Sequence, residues 1–175
     1  MTDLKPGANL LFLREEELRQ AIELLFFAYR DFTAEPDLLL AEIGLGRAHH
    51  RVIYFVGRHP AITVSELLAI LGITKQSLSR VLGQLVGDGW VVQSKGIRDR
   101  RQRLLELTAK GVALERQLTE RQRQKVARAY REAGPVAVEG FRQVMIGLID
   151  EGDRRRFQGG SDRAGRRPDK TGSVR

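Results

Sequence analysis

The stretch TVSELLAILGITKQSLSRVLGQLVGDGW, residues 63–90, limits the fold more than any other part of the chain. Thr63-Val64-Ser65-Glu66 is a capping box: the threonine hydroxyl accepts a backbone N–H and the glutamate reaches back. It predicts a short helix, SELLAIL, stopped at Gly72. Thr74 then caps a second helix over 75–88. Two capped helices joined by a glycine-containing turn of a few residues form the helix-turn-helix pattern.

At about 100° per residue, Leu78, Val81, Leu82, Leu85 and Val86 converge on one side of the second helix. Gln76, Arg80 and Gly83 point the opposite way, with Lys75, Ser77, Ser79 and Gln84 on the flanks. Solvated helix faces ordinarily mix both signs of charge, but this one holds no acid before Asp88. Donors and short side chains suit a surface that lies against base edges and phosphates. Gly83 lowers helix stability by about 0.5–1 kcal/mol relative to Ala, which fits a close approach by a partner. The plainer alternative is an amphipathic helix facing water.

After Gly87-Asp88-Gly89 the period changes. WVVQS and QRLLEL read as strands and KGIRDRR as the turn between them, which makes a hairpin. Between Lys95 and Arg103 five cations (Lys95, Arg98, Arg100, Arg101 and Arg103) stand against Asp99. A helix fits the major groove, about 12 Å wide, and a basic tip beside it reaches the adjacent minor groove. The expected contacts are Thr74, Lys75, Gln76, Ser77, Ser79, Arg80 and Gln84 on the helix, and Lys95, Arg98, Asp99, Arg100 and Arg101 on the hairpin. Trp90 is expected to open the strand and pack under the helix rather than stack on a base.

Residues 12–32 carry Leu18, Ile22, Leu25, Phe26, Tyr29 and Phe32 at helical spacing, and Leu24, Phe27 and Ala28 add a second apolar strip. So oily a helix wants two neighbours or a partner chain. Glu35-Pro36-Asp37 is expected to break it. A helix over about 45–58 ends at His59-Pro60. Thr108-Ala109-Lys110-Gly111 opens a long helix to about Glu132, Gly134-Pro135 breaks it, and a last helix runs over about 136–156. Residues 157–175 have almost nothing to bury and read as a disordered basic tail. From Arg154 onward eight Lys/Arg stand against two Asp, which is +6 of the net +8, so the folded part is only mildly basic.

Other functions find little support. With no cysteine among 175 residues, disulfides, thiolate zinc sites and a cysteine nucleophile are excluded. There is no glycine-rich phosphate loop and no metal-ligand spacing, so neither a cofactor nor an enzymatic activity is expected. His49 and His50 are adjacent, about 100° apart on a helix, and poorly placed to chelate one ion. Glu15-Glu16-Glu17 is a charge run at a helix start, where the dipole favours it. No apolar run approaches the roughly 20 residues that cross a bilayer, and the patch over 10–13 is too short for a signal-peptide core. A cytoplasmic protein without a membrane partner is expected.

The helix-turn-helix followed by GDGWVVQSKGIRDRRQRLLELTAKG resembles the MarR family of bacterial transcription regulators. The specific features are Asp99-Arg100-Arg101 in the wing and a strand ending in Leu107-Thr108, with Gly111 three residues on. The segment HHRVIYFVGRHP, 49–60, is similar to PetP-type members. The resemblance covers about residues 12–156. It implies a mainly α fold with a small β-wing: a winged helix-turn-helix, with a DNA-binding lobe over about 60–108. Helices over about 12–32 and 109–156 would interlock in an obligate-type homodimer. It also implies binding to pseudo-palindromic operators in double-stranded DNA, usually as a repressor released by a small-molecule effector. Arg101 would be the wing arginine, held by Asp99, although Arg98 and Arg100 stand close enough to compete for that place. An effector pocket would draw on Phe26, Arg30, Arg47, His50 and Tyr54, residues that equally suit core and interface. The alternatives are a nucleoid-type protein that binds DNA without sequence choice, or an activator without an effector.

Overall fold

The computed structural model describes residues 10–96 and 100–158. Two of the expected wing contacts, Arg98 and Asp99, and the tail beyond Gln158 lie outside them. Contacts divide the chain into two compact units, Met1–Lys125 and Val126–Arg175. Among the described residues no helix is long and apolar enough to cross a membrane.

The first unit begins with a 3-10 turn, Leu10–Leu13, then α1 (Glu15–Glu42), α2 (Arg47–Arg58), β1 (Ile62–Thr63), α3 (Val64–Leu71), α4 (Lys75–Gly87), β2 (Val91–Lys95) and β3 (Arg103–Leu107). It closes with the first part of α5 (Ala109–Leu148). The three strands form one antiparallel sheet in the order β1-β3-β2. The fold is mainly α with a small β-wing, a winged helix-turn-helix. The strand β1 had no counterpart in the sequence reading. It is two residues long, and Ile62 and Thr63 pair with Leu105 and Leu104.

Apolar residues from nearly every element of this unit converge. Leu40, Ile53, Leu67, Leu78, Leu85, Leu105 and Leu118 are fully buried. Each such leucine or isoleucine contributes about 1.5–3 kcal/mol, so α4 is fixed through Leu78 and Leu85 and its opposite face is fixed outward. Val86, expected on the buried side, is 39% exposed.

The expected break at Glu35-Pro36-Asp37 does not occur, because α1 continues through a buried Pro36 to Glu42. Proline has no N–H for the carbonyl four residues back. Two side chains of α5 serve the carbonyls at that place: Gln122 Nε2 donates to Phe32 O at 3.5 Å, and Lys125 Nζ donates to Asp31 O. The Gln122 contact therefore serves the one carbonyl, Phe32 O, whose donor the proline removes, and Lys125 adds a bond to its neighbour.

The second unit holds the rest of α5 and α6 (Glu151–Gln158). Gly134, at φ 79° and ψ 168°, interrupts α5 where Gly134-Pro135 predicts it, in a region of backbone space essentially reserved for glycine. Tyr130 and Phe141 meet edge to face across the break, with ring centroids 6.2 Å apart. The expected single helix over 136–156 is instead two. After Leu148, Arg154 folds back, its Nε donating to Ile149 O at 2.7 Å and its Nη2 to Gly147 O at 2.9 Å. This caps the orphan carbonyls of α5. Arg156 pairs with Asp153.

Candidate nucleic-acid interface

Local chemistry sets the angle between α3 and α4. Thr63 N donates to Glu66 Oε2 at 2.8 Å, and Glu66 N donates to Thr63 Oγ1 at 3.1 Å, which completes the capping box. The backbone N–H and the hydroxyl of Thr63, both donating to that carboxylate, hold Glu66 below its ordinary pKa. Gly72, at φ 61°, ends α3 in the left-handed conformation. Ser77 N donates to Thr74 Oγ1 at 3.2 Å to start α4, and Thr74 Oγ1 donates to Ser77 Oγ at 2.9 Å.

The polar surface of α4 then divides into three sectors. Gln76, Arg80 and Gly83 point away from the core and are exposed. Lys75, Ser79 and Val86 turn toward the wing. Ser77 and Gln84 lie on the opposite flank, where Gln84 is engaged with His49 and the carbonyl of Gly44. The outward sector carries no acid. A β-carbon on Gly83 would meet no atom within 4 Å, so its surface is open to a close approach.

The wing places cations beside that sector. Lys95 stands directly across the ladder from Arg103, a like-charge pair that costs energy unless an anion or water lies between. Arg100 and Arg101 follow on the exposed turn. Lys75, Ser79, Gly83, Gln93, Arg101 and Arg103 line an open cleft of about 750 Å³ between α3, α4 and the wing. Gln93 and Arg103 were not among the expected contacts. The alternation of β2 and β3 was the available signal for them, since each has its side chain on the strand face turned to the cleft.

The wing is tied to the end of α4 by the residues that carried the resemblance. Thr108 Oγ1 donates to Gly89 O at 2.7 Å and accepts from Gly111 N at 3.0 Å, so it caps α5 while it holds the turn after α4. Lys110 Nζ donates to Asp88 O at 3.0 Å and lies 3.7 Å from the centre of the Trp90 ring, a cation–π contact. Trp90 is half-buried against the core, and its backbone N–H donates to Leu85 O at 2.8 Å. It packs at the end of α4, one residue ahead of β2, which begins at Val91.

The five residues considered for an effector pocket all lie on α1 and α2, but each has its own environment. Phe26 is exposed on α1, edge to face with Phe27. Arg30 bonds to Asp31 and lies over the Phe27 ring. Arg47 Nε donates to Asp37 at 3.1 Å, and its guanidinium lies 5.4 Å from the Tyr29 ring centre. His50 is buried, and Tyr54 packs edge to face on Phe55. None of the five lines the cleft beside the wing.

A profile of the MarR family matches residues 43–102. Over 152 residues the chain is 54% identical to the HTH-type transcriptional regulator PetP of Rhodobacter capsulatus, spanning 87% of this chain and 92% of that protein. Among solved structures it is similar to Streptococcus pneumoniae FabT in complex with DNA, at TM-score 0.67 and 18% identity over 75% of this chain and 94% of that one. It is also similar to a mutant E. coli MarR complexed with operator DNA, at TM-score 0.60 and 22% identity over 80% and 99% of the two chains. At these identities the solved structures speak for the fold.

Proposed function

The chain belongs to the MarR family of winged helix-turn-helix transcription regulators, and from that premise we propose that it binds a pseudo-palindromic operator as a homodimer and represses transcription until a small ligand releases it. The observation that carries the DNA reading is the acid-free outward sector of α4, Gln76, Arg80 and Gly83, set beside the Lys95–Arg103 pair of the wing. Arg80 reaches base edges in the major groove, where arginine reads guanine by a two-pronged hydrogen bond. Lys75 and Ser79 hold phosphates, and the wing arginines, Arg101 first among them, enter the adjacent minor groove. Two copies would set their recognition helices about one DNA turn, roughly 34 Å, apart. The relative at 54% identity, named as a transcriptional regulator, and the DNA complexes of structural neighbours support this reading. Release by a ligand and the repressor sign rest on the family resemblance.

The test is fluorescence anisotropy with the DNA upstream of the chain's own gene, beside a scrambled duplex of equal length and at several salt concentrations. A preference of about a thousandfold is expected. Arg80→Ala should cost about 1–3 kcal/mol and relax the preference at one base position. Equal and steeply salt-dependent binding to both duplexes would establish a nucleoid-type protein instead.

A further inference from the structure

The flank of α4 away from the wing carries a hydrogen-bonded chain that leads to the turn before α2. Gly46 N–H donates to His49 Nδ1 at 3.0 Å, so that nitrogen carries no proton. The proton of the neutral ring is then on Nε2, which stands 2.9 Å from Gln84 Oε1 and donates to it. With its oxygen so used, Gln84 turns its amide nitrogen to Gly44 O, 3.1 Å away. The chain begins and ends on the turn between α1 and α2 and passes through the last turn of α4 between. Each donor and each acceptor fixes the next, so the ring tautomer and the amide orientation are both determined.

The turn it reaches is itself held. Gly44, at φ 71°, takes a left-handed conformation, and Leu45 beside it is buried with its N–H on Leu40 O at 2.9 Å. The apolar contacts of α4 fix how deep the helix sits and which side it turns to the core, leaving only a small residual roll. A side-chain link on one flank limits its roll about its own axis, and roll decides whether Arg80 and Gln76 face the groove. Gln84 lies about 40° around the helix from Arg80, close enough that a small roll moves both.

We propose that His49 is a positioning residue for DNA reading: through Gln84 it ties the roll of the recognition helix to the turn between α1 and α2. Gln84 itself touches no base or phosphate. This rests on the operator-binding reading above.

The experiment uses the full chain and the duplex of about 30 bp that it selects best from a random pool, beside a scrambled duplex. His49→Asn keeps an acceptor for Gly46 N–H but is too short to reach Gln84, so it removes the link and spares the helix cap. Gln84→Ala removes the link from the other side. Each variant should weaken binding to the selected duplex about fivefold, with the melting temperature held by His49→Asn. The double variant should bind no more weakly than the weaker single one, because both remove the same link. Losses that add, or a loss from Gln84→Ala with His49→Asn silent, would make Gln84 a DNA contact and overturn the proposal. So would two silent variants. The parent chain's preference for selected over scrambled duplex tests the operator reading separately. Without such a preference, the non-additivity is read on scrambled DNA at low salt, and a parent that binds no duplex overturns both.

Discussion

A β-carbon on Gly111 would lie 2.1 Å from the carbonyl oxygen of Trp90, and that oxygen also accepts the backbone N–H of Thr108 at 3.1 Å. The obstacle is backbone on both sides, with no flexible side-chain end to yield. Gly111→Ala should therefore destabilise the fold by about 1–3 kcal/mol, at the upper end, and loosen the wing from α5. Urea denaturation of the variant beside the parent checks this, and an unchanged midpoint would show that α5 moves away at no cost. His50 carries a second consequence. Burial pushes its imidazole below the ordinary value of 6.5, Arg51 adds to the shift, and Asp37 and Glu115 oppose it. The unfolded chain then binds the proton more tightly than the folded one. Stability is fully present above 6.5 and is lost as pH falls through that value toward the lower folded one. The urea midpoint should drop between about pH 7.5 and about pH 5.5, and His50→Leu should flatten part of that slope. The sequence placed Thr108 and Gly111 in a signature, but the reason for that glycine is a distance between α5 and the turn after α4. Gln84 reads in the sequence as a polar flank residue and a DNA contact, and nothing there points to a partner on α2. Its link to His49 joins positions 35 residues apart, which no periodicity reports.

The helix-turn-helix and the wing were legible because their determinants are local: a capping box, a left-handed glycine, a threonine cap, and a shift of apolar period from helix to strand. Elements whose determinants are tertiary were not. A proline inside a helix ordinarily costs about 3 kcal/mol, and the sequence alone could not supply the Gln122 and Lys125 donors that serve the carbonyls of Phe32 and Asp31. The strand β1 is too short for any alternation to show and exists because β3 has a free edge for Ile62 and Thr63. Arg154, read in sequence as one of three arginines in a basic run, is a C-cap for α5. The break at Gly134 was local and was legible, and it carries a prediction for α5. At φ 79° and ψ 168° an alanine is strained wherever its side chain points, so Gly134→Ala should cost about 1–3 kcal/mol or straighten α5. Straightening would show as a gain in helical circular dichroism with the melting temperature kept. A variant that changes neither would mean the break carries no strain.

The first unit leaves much of α1 without a neighbour. Every residue from Phe12 to Asp31 is exposed, including Ile22 at 67% and Phe26 at 62%, while the same helix is buried only at Thr33, Pro36 and Leu40. Single exposed apolar residues are ordinary, but Leu18, Ile22, Leu25, Phe26 and Tyr29 run down one face, and a contiguous stripe of that kind marks an interface. Within the second unit Val136, Val144 and Leu148 are exposed in the same way. The family expectation of a dimer built from these terminal helices and the physical demand to cover them coincide. A dimer would also let a chain with so modest a positive charge outside its tail bind DNA tightly. Two recognition helices held in a fixed spacing add their contacts, and a monomer engages half a site. Ile22→Glu places a charge in the middle of the stripe, where burial against a second copy leaves it without a partner. The parent should sediment at twice the chain mass, and the variant should sediment as a monomer at micromolar concentration with its circular dichroism kept. Its binding to the selected duplex should fall at least tenfold, whereas a scrambled duplex, held by charge alone, should be bound nearly as before. A variant that stays dimeric would move the interface off α1, and a monomer that still binds its operator as tightly as the parent would remove the two-fold operator from the proposed function.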